Sequence, residues 1–202
     1  MKNPPCSRAA LALSCTLLSA CGGQDGGDRS EQAFESFLGI YAIGEYTVND
    51  AACDAEGASA FSTLAETYLV SHRDEFLGVP FLLFFSCSDA ADCRDKVATF
   101  ADGQGVASER SYTLSSAESG HHLTGSREIS GFGDGELCRD GGVEALDLVR
   151  DGLGIVIELH GRYADFSPDE AGICWSDRGA AAAEGAPCTR FEVLRATFSE
   201  AL

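Results

Sequence analysis

The sequence predicts a mainly β chain, an antiparallel up-and-down barrel of about eight strands carrying two or three short helices. Three observations predict it. Short runs of alternating apolar and polar residues recur between clusters of Gly, Asp, Ser or Pro, the pattern of strands with one buried face. Asp151-Gly152 lies between two such runs as a two-residue hairpin turn. Helical patterns are too sparse to supply the crossover that each parallel strand pair needs, and an antiparallel sheet this wide loses its exposed edges only by closing.

In chain order, Ser30 is placed to cap a short helix whose Ala33, Phe34, Phe37 and Leu38 share a face, with Gly39 ending it. Strands are then expected over Gly39 to Asn49 and from about Glu66 to His72. The third, Val79 to Cys87, is nearly all apolar, so it is expected to be covered on both faces, with Pro80 near its start where a missing N–H is tolerated. Ser88 is read as the N-cap of a helix in which Ala90, Cys93, Val97 and Phe100 recur at helical spacing. Two polar strands follow, near Arg110–Ser116 and His121–Ser130. The sixth and seventh flank the Asp-Gly turn; in the seventh Ile155, Ile157, Leu159 and Tyr163 face one way and Glu158, His160 and Arg162 the other. Ser176 opens a second helix through Ala180–Ala183, stopped by Gly185 and Pro187. In the last strand, Arg190 to Glu200, Phe191 and Val193 are followed by Leu194, Ala196 and Phe198, an apparent slip of phase that a bulge would explain.

The N-terminus carries a different signal. Lys2 and Arg8 precede a short apolar stretch, Ala9 to Leu18, and then Leu18-Ser19-Ala20-Cys21. The stretch is too short and too interrupted for a spanning helix, which needs about 20 apolar residues. This order of charge, apolar core, small residues and cysteine resembles the lipobox of bacterial lipoproteins. The resemblance implies cleavage before Cys21 and lipid on its sulfur. It divides the chain into a signal peptide (1–20), a flexible Gly-rich tether (21–29) and a single domain (30–202). Gly22, where that family's inner-membrane retention signal has aspartate, implies the outer membrane, facing periplasm or cell surface. The whole chain also resembles small cysteine-bearing lipoproteins of Gram-negative envelopes.

Export bears on the nine cysteines. Cys6 and Cys15 would leave with the signal and Cys21 would be acylated, so Cys53, Cys87, Cys93, Cys138, Cys174 and Cys188 remain for disulfides in an oxidising compartment. Short separations favour Cys87–Cys93 and Cys174–Cys188, leaving Cys53 for Cys138, although the other pairings that six cysteines allow stay open. No CxxC pair proposes a metal site instead.

The formal net charge of −18 grows more negative once Lys2 and Arg8 are lost. Such a surface repels phosphates, so nucleic acid is not expected as a partner. Gly39-Ile40-Tyr41 at the first strand resembles the Gly-x-Trp opening of lipocalin-like (calycin) barrels, with Tyr41 in place of the tryptophan and Trp175 far from it. A long connection after the first strand and a helix before the last also resemble that family.

Residues that invite catalytic readings have simpler ones. His121 and His122 are adjacent on a strand and point to opposite faces, so they do not converge on one ion, and His72 and His160 are scattered. Gly131-Phe132-Gly133-Asp134-Gly135 lacks the parallel strand and helix of a dinucleotide loop and reads as a turn using positive φ. Asp134, Glu136 and Asp140 lack the spacing of a calcium loop. No Gly-x-Ser-x-Gly elbow is present, and Asp169-Glu170 falls in a loop where water keeps both carboxylates ionised. The expectation is a non-enzymatic barrel without metal or cofactor. It is anchored to the membrane by lipid and binds a small hydrophobic ligand, or else, with a filled core, an envelope protein.

Overall fold

The computed structural model describes residues 34–51, 67–104, 110–119, 121–133 and 136–202. Its strands are β1 (Gly39–Ala51), β2 (Tyr68–Phe76), β3 (Val79–Cys87), β4 (Arg110–Ser119), β5 (His122–Ile129), β6 (Phe132–Gly133), β7 (Cys138–Asp151), β8 (Gly154–Phe166) and β9 (Cys188–Glu200). Two helices, α1 (Ala90–Ala101) and α2 (Ser176–Ala183), follow β3 and β8. Every pairing is antiparallel, and β5 pairs with β7 across eight positions from His122–Val149 to Ile129–Gly142. That contact closes the sheet into an eight-stranded barrel, with the two-residue β6 attached to the start of β7. Closure satisfies the backbone groups that an open sheet would leave at its edges.

Alternation along each strand sorts side chains between lumen and outer wall. Tyr41, Leu69, Leu82, Phe84, Tyr112, Leu123, Leu146, Leu148, Ile155, Ile157, Leu159, Leu194 and Ala196 form one buried cluster inside the barrel. Phe34 and Phe37 join it, from the segment in which helical Phe34–Glu35 and a turn at Ser36–Phe37 precede β1. The Tyr41 hydroxyl donates to the Phe37 carbonyl at 2.9 Å, tying that segment to the strand it enters. The expected capping residue Ser30 lies outside the described residues.

A second buried cluster lies on the outer wall, where Ile40, Val70, Leu83 and Phe85 meet α1 through Cys93, Val97 and Phe100. This explains why β3 reads as apolar on both faces: one side fills the lumen and the other is covered by a helix. The N-cap of α1 is Asp89, one residue later than read from the sequence. Its Oδ1 accepts from Ala91 N (2.8 Å) and Asp92 N (2.9 Å), and Ser88 N donates back to Asp92 Oδ2 (2.8 Å). A carboxylate both accepts two orphan donors and meets the positive helix end, which a serine hydroxyl does only in part.

Two further details differ from the sequence reading. The β7–β8 turn is Gly152-Leu153, closed by the Asp151–Gly154 pair, so glycine takes the first central position with φ 59°. The phase slip expected in β9 is absent, because β8 and β9 stay in continuous register from Gly154–Thr197 to Tyr163–Cys188. Phe191 and Val193 simply face outward while Arg190 and Glu192 face the lumen with Leu194. The irregularities lie instead in the β1–β9 pairing, at Ser199 near the end of β9, opposite Ile40 and Tyr41, and at Gly44 of β1, between Ile43 and Glu45.

Candidate functional site

Of the cysteines singled out, Cys87 is bridged to Cys93, with Cα atoms 5.2 Å apart, joining the end of β3 to α1. Cys138 is bridged to Cys174, with Cα atoms 5.7 Å apart. This corrects the favoured pairings of Cys174 with Cys188 and of Cys53 with Cys138. Sequence proximity misled because the loop after β8 folds back on the start of β7, where Phe166 pairs with Cys138, so spatial neighbours are far apart in the chain. Cys188 is also disulfide-bonded. Cys53 and the lipidation candidate Cys21 lie outside the described residues.

The lumen contains a charged cluster that sequence reasoning missed. Arg110 (β4), Glu144 (β7), Arg190 and Glu192 (β9) are buried, and Arg127 (β5) is largely so. Each lies at an inward position, in phase with neighbouring core residues on its own strand. Glu144 is the hub. One of its oxygens receives Arg110, Arg127 Nε (2.7 Å) and the Tyr112 hydroxyl (2.8 Å), and the other receives the Tyr163 hydroxyl. Gly161 makes this possible, since a Cβ there would collide with the Tyr163 ring. Glu192 accepts from Tyr46 at 2.8 Å and pairs with Arg190 Nε (2.8 Å) and Arg110 Nη2 (3.7 Å).

The two carboxylates respond differently to this setting. Burial alone would raise the Glu144 carboxyl, but the Arg110 and Arg127 guanidiniums and the hydrogen bonds from Arg127 and Tyr163 hold it down at about 2. At Glu192 burial prevails over Arg110, Tyr46 and Arg190, so its carboxyl is raised above the usual range. Tyr46, Tyr112 and Tyr163 are raised in turn, by burial first and then by the carboxylate each one faces. A hub kept ionised, with both oxygens occupied, is suited to holding strands together and poorly suited to exchanging protons near neutral pH.

The outer wall offers a groove of about 550 Å³ across β5, β7, β8 and β9. Outward residues Ser126, His160, Arg162, Thr189 and Phe191 line it, with Asn49 at its border. The His160 and Phe191 rings lie 4.6 Å apart, presenting an aromatic ledge beside a guanidinium. Val143 and Arg162 also line the hollow beneath α2, which therefore flanks the groove. Gly179 permits this close seating, since a Cβ there would meet the Ile129 carbonyl.

The remaining sequence candidates are dispersed. His121 is exposed, whereas His122 Nε2 lies 2.7 Å from Asp147 Oδ1, so the adjacent histidines do separate. His72 on β2 and His160 on β8 are on strands that are not neighbours. Asp169 does lie in an exposed loop, where it organises its neighbours, accepting from Trp175 Nε1 (2.7 Å), Ile173 N (2.8 Å) and Ala171 N (2.9 Å). Gly131 has φ 71°, as its reading as a turn requires, and Phe132–Gly133 forms the short β6. Asp134 lies outside the described residues. Among the described residues no three His, Cys, Asp or Glu side chains gather as a metal would need. No protein-family model matches the chain, and no curated protein or solved structure matches it either.

Proposed function

We propose that this protein is a lipid-anchored, non-enzymatic barrel of the outer membrane, facing periplasm or cell surface, that meets another envelope component through its outer wall. Acylation at Cys21 rests on its resemblance to the lipobox. The choice of outer wall over lumen rests on one observation: the inward side chains from Phe34 to Ala196 are buried against one another along the barrel, so its interior is occupied by its own residues. The accessible concavity beside His160, Arg162 and Phe191 is outside. Aromatic and arginine side chains are the types enriched where proteins meet.

Native mass spectrometry of the body released from its lipid tests this reading. The expected mass is that of the disulfide-bonded polypeptide alone, and an apolar fluorescent probe of fatty-acid size should show no saturable binding. A co-purifying apolar molecule, displaced stoichiometrically by that probe, would overturn the filled-lumen reading in favour of a small hydrophobic ligand. In the anchored protein, a crosslinker placed at His160 should capture the same component repeatedly, and Phe191→Ala should abolish that capture.

A further inference from the structure

The barrel has two unlike mouths. At one, the turns β2–β3 and β7–β8 project on either side of the β1–β9 pair, since β2 continues past Ser71, the partner of Gly39, and Gly154 pairs with Thr197 near the end of β9. Phe34 and Phe37 fill this mouth, with the Arg73 guanidinium 5.6 Å over the Phe34 ring. Phe34, the first described residue on the Cys21 side of β1, is therefore at this mouth. At the other mouth lie the ends of β1 and β8, the start of β9 and the loop holding Trp175.

The turns at the first mouth carry large apolar side chains that the fold leaves in water. Leu77 is 88% exposed, Leu153 81% and Phe76 66%, with Val79 also exposed beside Phe76, its cross-strand partner. Leu77 has φ 53° and Gly78 φ 80°, a backbone that favours Asn-Gly or Gly-Gly. A leucine in that position strains the turn and gains no burial, so the fold itself gives no reason for it. The Leu153 carbonyl accepts from Phe198 N at 2.9 Å, so the second tip is braced against β9.

We infer that this mouth rests on the lipid bilayer, with Leu77 and Leu153 reaching into a zwitterionic leaflet at two points flanking the anchor. This deepens the proposed function and rests on acylation of Cys21. Twelve residues separate Cys21 from Phe34, and their full extension spans at most about 45 Å, so this mouth stays within that distance of the anchor. Lipid is the occupant the chemistry favours, because the apolar side chains form two small patches, Phe76, Leu77 and Val79 at one turn and Leu153 at the other, and offer no continuous protein-sized face. The net charge of −18 disfavours an anionic leaflet, while beside the tips Glu75 and Asp151 are balanced by Arg73 and Arg195, each 3.9 Å away. The outer-wall groove, which reaches Asn49 and Thr189 toward the opposite mouth, then opens on the side of the barrel beyond the membrane-facing turns.

The test uses the full acylated chain in phosphatidylcholine vesicles containing brominated acyl chains. Tryptophan is placed at either tip in a background lacking the native one (Leu77→Trp or Leu153→Trp with Trp175→Phe). Both tip tryptophans should be quenched and blue-shifted, while Trp175 of the unsubstituted chain should be unaffected. Unquenched tips, or Trp175 quenched as strongly, would overturn the inference. Mass spectrometry of the same sample reads the diacylglyceryl group on Cys21 separately, so a missing anchor and a misplaced mouth are distinguishable. In a Cys21→Ala chain, Leu77→Ser and Leu153→Ser should each lower co-sedimentation with phosphatidylcholine vesicles about tenfold, the effect of burying roughly one leucine. Unchanged partitioning would count against the tips.

Discussion

Toward the mouth where β1 begins, the lumen is filled by Phe34, Phe37, Tyr41, Leu123, Leu148 and Ile155; toward the other it is filled by Arg110, Glu144, Arg190 and Glu192 with their tyrosines. Both halves are largely buried, yet they are stabilised differently. The apolar half gains from each group independently, in proportion to area buried. The charged half gains only as a set, because each ion carries a desolvation cost that its partners must offset. Removing the hub, whose charge its partners stabilise, is therefore severe, whereas exchanging the whole set for apolar residues of similar volume need not be.

Glu144→Gln should have the largest effect, about 3–5 kcal/mol, because it strips a charge partner from the fully buried Arg110. This loss should depend on pH. With its carboxyl lowered in the fold to about 2 from 4.5, Glu144 contributes stability that is present above its unfolded pKa and fades as pH falls toward 2. Urea unfolding at pH 7 and pH 2.5 should show the gap between parent and variant narrowing by about 3 kcal/mol. Leu148→Ala, in the apolar half, should cost about 2–4 kcal/mol through its cavity. The cost should be the same at both pH values. If both penalties titrate alike, the two halves are not independent.

Glu192→Gln should have the smallest effect and sharpens the contrast within the charged half. Its carboxyl is raised in the fold, so its ionisation opposes folding at high pH. That cost disappears as pH falls through its folded pKa toward the unfolded one. The variant should differ from the parent by less than about 1 kcal/mol at neutral pH. A loss as large as that of Glu144→Gln would show that the two carboxylates form one indivisible network.

The same contrast explains what could be read from the chain. In β8 the inward set Ile155, Ile157, Leu159 and Tyr163 was legible because, past Val156, polar Glu158, His160 and Arg162 mark the opposite face. In β9 it was not, because Arg190 and Glu192 occupy lumen positions and Phe191 and Val193 the outer wall, the reverse of the usual pattern. The available signal was phase: Arg190 and Glu192 continue the every-second-residue row of Leu194 and Ala196. The groove was invisible for a related reason, since Asn49, Ser126, His160 and Phe191 come from four strands and meet only through register.

By itself, the sequence determined the strand and helix types and the antiparallel closure and favoured the Cys87–Cys93 clip, because these depend on periodicity, turn residues and contacts only a few positions apart. Tertiary structure decided the Cys138–Cys174 bridge, the pairing of three arginines with two glutamates inside the barrel, and the exposure of Leu77 and Leu153 at one mouth. Those features arise between residues brought together from different strands, and no local pattern encodes a distance across a closed sheet.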